Sequence, residues 1–197
     1  MKDFVEGNMD IVVFRNEFNN NFIIKKTLEE DPLYPKDRTY SEHFNIRPEH
    51  TAQYLEMKKW TNRGDQLNTW GAVKGFLSRY NYSFVPTKYY EDRFGFLLDI
   101  QPSWLDIDDE DFLSMNIINK IPVAINTKSE KIKWCKEKIK ELFRYDKKPP
   151  IWVQNAEWPI MNGKPLIFSH QSKDGEEVHF YFYDPITEKK CVVTQWY

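Results

Sequence analysis

Residues 149–171 pack two tryptophans (Trp152, Trp158), four prolines, the turn glycine Gly163 and two glutamines (Gln154, Gln171) into one short run. Fixing such a run costs about 1–2 kcal/mol of backbone entropy per residue, which only rings with a buried seat can offset. The stretch therefore reads as an ordered connector. It joins a charged helical segment to a strand-rich tail, and the rest of the chain is arranged around it.

Behind the connector, three strands are expected at roughly 165–170, 178–183 and 191–196. Lys173-Asp174-Gly175 and Asp184-Pro185-Ile186-Thr187 supply turn chemistry at suitable spacing. The middle segment alternates His179, Tyr181 and Tyr183 with Phe180 and Phe182, which suggests a central strand covered on both faces. Ahead of the connector, Thr127-Lys128-Ser129-Glu130 is a capping-box pattern, and Ile132, Cys135, Ile139, Leu142 and Phe143 form one apolar stripe. A helix is expected there, ended by Pro149-Pro150.

The N-terminal half reads as mainly helical. Ile11, Phe14, Phe18 and Phe22 recur at helical spacing after a possible Asp10 cap, although a strand pair around Asn19-Asn20-Asn21 also fits. Residues 29–47, with Pro32 and Pro35, read as an irregular connection. Pro48 suits a first helical position, so a helix is expected through 49–60. After the punctuation Asn62-Arg63-Gly64-Asp65, the residues Trp70, Val73, Phe76, Leu77 and Tyr80 mark a second helix, and the two form a hairpin. Residues 82–100 are aromatic and β-prone, giving at least one strand near 94–100 that stops at Pro102. A short helix at 108–119 and a strand-like Ile121-Pro122-Val123-Ala124-Ile125 follow. The expectation is one α+β domain spanning residues 1–197. Its helical N-terminal half packs on a mostly antiparallel sheet that ends in a C-terminal three-stranded meander.

Composition narrows the function. With 41% hydrophobic and 16% aromatic residues in 197, the chain can bury a full core without disulfides or metal. The 28 basic and 30 acidic residues leave a net charge of -2, so no global field steers it onto nucleic acid. Cys135 and Cys191 are expected as reduced thiols. Ile11-Val12-Val13-Phe14 is too short for a signal-peptide core, and no run reaches membrane-spanning length, so a cytoplasmic address is expected.

Chemical motifs are sparse. Asp106, Asp108, Asp109, Glu110 and Asp111 lack the glycine and distal glutamate of a calcium loop, and a solvated helix start is the simpler reading. His43, His50, His170 and His179 show no zinc spacing. His170 and His179 lie on neighbouring expected strands, where cross-strand pairing without metal is favoured. No Gly-x-Ser-x-Gly elbow and no Gly-rich phosphate loop is present, so no catalytic residue and no cofactor is expected. Glu157, beside Trp158 and near Trp152, has the setting of a general acid, but an acceptor for backbone amides in the turn before Trp158-Pro159 explains it more simply.

The run Trp152-Val153-Gln154, Glu157-Trp158-Pro159, Gly163-Lys164-Pro165-Leu166-Ile167-Phe168 and Gln171 resembles the Trp-Pro, Pro-Leu-x-Phe, Gln segment of the YwqG-like family of uncharacterised bacterial proteins. That resemblance implies a bacterial cytosolic α+β protein and brings no catalytic residues with it. In general type the chain also resembles immunity proteins of bacterial toxin systems. The reading that follows is a non-enzymatic binding protein with a protein partner, and its candidate binding residues are Trp152, Gln154, Glu157, Trp158, His170 and Gln171. The competing reading is a small-molecule-binding or hydrolytic domain with a pocket near Trp152, Glu157, Trp158 and His170.

Overall fold

The computed structural model describes residues 1–31, 48–107 and 112–197. Helices fill the N-terminal part and antiparallel strands the C-terminal part, so the α+β class and the closing meander are borne out. The chain divides into two compact units, Met1–Gly95 and Phe96–Tyr197. Of the expected connection through 29–47, Glu29 is still helical, and residues 32–47 lie outside the described residues, as do the acidic residues 108–111.

The first unit contains α1 (Lys2–Glu6), α2 (Ile11–Asn20), α3 (Phe22–Glu29), α4 (Thr51–Glu56), α5 (Arg63–Arg79) and the first part of α6 (Tyr89–Ile100). Asp10 caps α2 as expected, its Oδ1 accepting from the amides of Val12 and Val13 at 2.8 Å. The helical alternative also holds through Leu28, but in two pieces. Asn21 ends α2 and then caps α3, accepting from Ile23 N at 3.1 Å. That break turns Phe22 out to 74% exposure while Phe14 and Phe18 stay buried.

Two expected helix starts are misplaced. Pro48 is not helical; α4 begins at Thr51, with His50 Nδ1 accepting from Gln53 N at 3.1 Å. A deeper demand sets that start, because Thr51 is buried and its hydroxyl donates to the fully buried Asp31 at 2.6 Å. Arg79, at the end of α5, pairs with the same carboxylate. The expected punctuation at 62–65 is instead the start of α5, since Asn62 Oδ1 accepts from Asp65 N at 2.6 Å and Arg63, Gly64 and Asp65 form the first turn. The carboxylate of Asp65 there suits the positive helix end. Helices α4 and α5 do pack together. Their reversal runs through Trp60 at φ 64°, a strained value held by burial of the indole, which donates to Leu55 O at 2.9 Å.

Residues 94–100 are helical and not a strand. Tyr90, Leu97 and Ile100 are all buried, and steps of seven and three put them on one side of a helix, whereas a strand would split 97 from 100. Tertiary burial has overridden aromatic β-propensity.

The second unit holds the end of α6, α7 (Phe112–Asn116), a 3₁₀ turn at Ile118–Lys120, α8 (Lys128–Leu142) and five strands. These are β1 (Ile160–Met161), β2 (Lys164–Pro165), β3 (Ile167–Asp174), β4 (Glu177–Tyr183) and β5 (Lys190–Trp196). Residues 121–125 form a turn, not a strand: Ile125 N donates to Pro122 O at 2.9 Å, and Val123 is 96% exposed. The capping box of α8 is present with both of its bonds, Glu130 N to Thr127 Oγ1 and Thr127 N to Glu130 Oε2. Glu130 is held below the usual carboxylate range by the Thr127 hydroxyl and amide. The helix ends at Phe143, well before Pro149-Pro150, because Phe143 is buried and the chain then runs beside β3, with Phe168 N donating to Arg144 O and Asp146 N to Phe168 O, both at 3.0 Å.

The meander has the order β3-β4-β5, with β4 central. Val178, Phe180 and Phe182 are buried, but Glu177, His179, Tyr181 and Tyr183 are only half-buried, so β4 is covered on one face and not on both. A bulge lies between Phe168, opposite Phe182, and His170, opposite Tyr181. Simple alternation would put Phe168 and His170 on one face. The extra residue, Ser169, sends His170 to the open face and Gln171, opposite Phe180, to the covered one.

Arg79→Met should destabilise the first unit by about 3 kcal/mol in denaturant titration, because it removes a guanidinium paired with the fully buried Asp31 carboxylate. Tyr90 is buried, and burial first, with Tyr89 beside it, pushes its phenol up to about 12 from 10.0. A raised folded-state value means its contribution is complete below pH 10 and lost as pH rises towards 12, because the unfolded chain releases the proton first. Stability should fall over that window by on the order of 2 kcal/mol more in the native chain than in Tyr90→Phe.

Candidate functional site

The connector crosses the covered face of the meander. At the β3 edge, Gln171 Oε1 accepts from Ile151 N at 2.9 Å, and its Nε2 donates to Ile151 O at 3.4 Å. Over β4, the Trp152 ring lies 4.5 Å from that of Phe180, and its indole N–H donates to Trp104 O at 2.9 Å. At the β5 edge, Gln195 Oε1 accepts from both Val153 N and Gln154 N at 3.0 Å, and its Nε2 donates to Asn155 O at 2.6 Å. Gln154 completes the clasp, its Nε2 donating to Trp196 O at 3.0 Å. The connector has no strand ladder here, and side-chain amides take the ladder's place.

Beyond the clasp the chain dives into the core. Trp158 is buried against Phe143, Phe168 and Phe182, and its N–H donates to Leu166 O at 2.8 Å. The β1-β2 hairpin turns at Asn162-Gly163, with φ 52° and 71°, the left-handed pair that a two-residue turn of this kind requires. Glu157 stays exposed, and no hydrogen bond from a backbone amide reaches it among the described residues. The simpler expectation for it, an acceptor for amides in the turn, is thus not what the turn uses.

Five of the six sequence-predicted residues, Trp152, Gln154, Glu157, Trp158 and Gln171, therefore lie along the connector or the covered face. His170 does not join them. It stacks on Tyr181 on the open face, with ring centroids 4.5 Å apart and planes at 7°. Nor do the two histidines face each other: His179 Nδ1 lies 3.0 Å from Thr194 Oγ1 and its Nε2 3.5 Å from Glu177 Oε2. Among the described residues no three His, Cys, Asp or Glu side chains gather as metal ligands, and no helix is long and apolar enough to cross a membrane. Cys135 is buried within the α8 stripe.

Two hollows flank the connector. One, of about 490 Å³, is walled by Trp104, Pro150, Trp152 and Gln154. The other, of about 630 Å³, is walled by Ile107, Glu157, Trp158, Cys191 and Val193. They share Asp106, Asn155 and Ala156. The open face has a different character. Val192, opposite Tyr181, and Trp196, opposite Glu177, are 50% and 52% exposed. Trp196 is oriented by Glu177, which accepts its indole N–H at 3.1 Å. Tyr183 donates to Asp146 at 3.0 Å, and that bond raises its phenol above the usual range.

Comparison with protein-family models, with curated proteins and with solved structures finds no match to this chain. The residue that sequence reasoning missed is Gln195. Its signal was present, because it occupies the inward register of β5 after Cys191 and Val193, where a polar side chain must find partners. Gln195→Leu keeps the volume but orphans two amides and a carbonyl. It should cost about 3 kcal/mol of stability and speed hydrogen exchange at Val153 and Gln154, whereas Gln171→Leu, at an exposed position, should cost less than about 1 kcal/mol.

Proposed function

We propose that this chain is a non-enzymatic binding protein of the bacterial cytoplasm, of regulatory or immunity type, whose open meander face docks a protein partner. The observation that supports it is the content of that face. Solvated faces of antiparallel sheets are normally polar, yet this one presents Trp196, Val192, Tyr181 and His170. The rings are already held, Trp196 by Glu177, His170 on Tyr181 and Tyr183 by Asp146, so little side-chain entropy remains to be lost on docking. Asp174, Glu177 and Lys190 supply a polar, mixed-charge rim of the kind that surrounds an interface core. The bacterial and cytoplasmic parts of the reading come from the YwqG-like resemblance.

Tagged protein captured from its host lysate, followed by mass spectrometry, tests this reading. A stoichiometric protein partner is expected, and its retention should fall at least about tenfold with Trp196→Ala or Val192→Asp while circular dichroism is unchanged. A protein recovered alone, or a partner retained equally by both variants, would overturn it.

A further inference from the structure

The larger hollow beside the connector is on the other side of the sheet from the docking face and has a chemistry of its own. Ile107, Trp158, Pro159 and Val193 make its wall apolar. Among the described residues, the charged groups that line it are two carboxylates, Asp106 and Glu157. Both are exposed, and no ion pair or hydrogen bond reaches either side chain among the described residues. Among the described residues no lysine or arginine lines this hollow or its neighbour, although the chain carries 28 basic residues. Two unneutralised carboxylates beside a low-dielectric wall focus a negative potential into the space.

From this we infer that the hollow binds an organic cation, an ammonium or guanidinium group carried on a short apolar body. Its volume of about 630 Å³ falls within the span of small-molecule sites. An anion would meet both carboxylates with no donor cation to offset them. A bare metal ion would find two carboxylates and an apolar wall, whereas hard cations take six or more oxygen ligands. An organic cation satisfies both halves of the site. Its charge sits at the rim between Asp106 and Glu157, and its apolar part displaces water from Ile107, Trp158 and Val193.

Cys191 lines the hollow and reports on its occupancy, since a bound molecule slows alkylation of its thiol by iodoacetamide. The probe is phenethylammonium, set against 2-phenylethanol as its uncharged counterpart, with Cys191 modification followed by mass spectrometry. Phenethylammonium should protect Cys191. The concentration needed for half protection should rise about five- to tenfold for the alcohol, for the double variant Asp106→Asn/Glu157→Gln, and for the native chain in high salt. Both substitutions fall at exposed positions, and circular dichroism checks that the fold is kept. Equal protection by the alcohol, equal protection in the double variant, or no protection by the amine would each overturn the inference. A capped arginine tripeptide separates two sources of the same chemistry. Stronger protection by the peptide than by phenethylammonium assigns the cation to a side chain of another protein, and weaker protection assigns it to a free small molecule; the cation site stands in both cases. Because Val193 faces the hollow and Val192 the open side, Val192→Asp probes partner docking without touching this site.

Discussion

The carboxamide of Gln195 is the contact on which the geometry of the second unit depends. It is 1% exposed, and it accepts from two connector amides while donating to a connector carbonyl. A chain segment laid over Val178, Phe180 and Phe182 gives up water at its backbone polar groups and has no neighbouring strand to replace it. One fully engaged glutamine resolves that conflict at the β5 edge, and Gln171 repeats the device more weakly at the β3 edge. With the connector pinned at both edges, Trp152 is placed over Phe180, Trp158 reaches the core and the two hollows open on either side of Asn155-Ala156. Each consequence traces back to the five hydrogen bonds of these two glutamines.

A single extra residue then decides which side chains share a face. The bulge at Ser169 reverses the alternation of β3, so Gln171 joins the clasp and His170 moves to the opposite surface. Without that reversal, His170 would lie with Phe168 on the connector side and Gln171 would point to solvent, leaving Ile151 unclasped. The bulge thus serves the connector and the open face together. It gives Ile151 its side-chain partner and gives Tyr181 its stacked neighbour.

What could be read in the sequence was whatever local chemistry dictates alone. The capping box at Thr127, the Asp10 cap, the meander with its turn at 184–187, and the ordered nature of the connector all appear in the structure, whereas the first meander turn falls at Gly175-Glu176, with Lys173 and Asp174 still paired in β3. The helix at 89–100 was not legible from propensity, because aromatic residues favour strands until long-range burial selects a period. Asn62 was read as punctuation because a cap and a turn use the same residue type, and only the following turn of helix separates them. Asn162-Gly163 did carry a hairpin signal, but the short strands beside it are too brief to show a period. The candidate site was half legible. Its residues do cluster along the connector, yet a bulge leaves no compositional mark, so the placement of His170 could not be deduced.

The tryptophans show how an aromatic-rich composition divides between scaffold and surface. Four indoles, those of Trp60, Trp70, Trp152 and Trp158, donate to backbone carbonyls, and three of these rings are buried. Each therefore satisfies a main-chain acceptor while filling the interior, a combination that ties the ring to one place in the fold. Trp196 differs on both counts. It donates to the carboxylate of Glu177, leaves half its surface in water and stands on the uncovered face of the meander. High aromatic content by itself thus says little about binding, since most of these rings are accounted for by packing. The informative ring is the one that is oriented by a side chain and still exposed, because packing among the described residues does not account for its place.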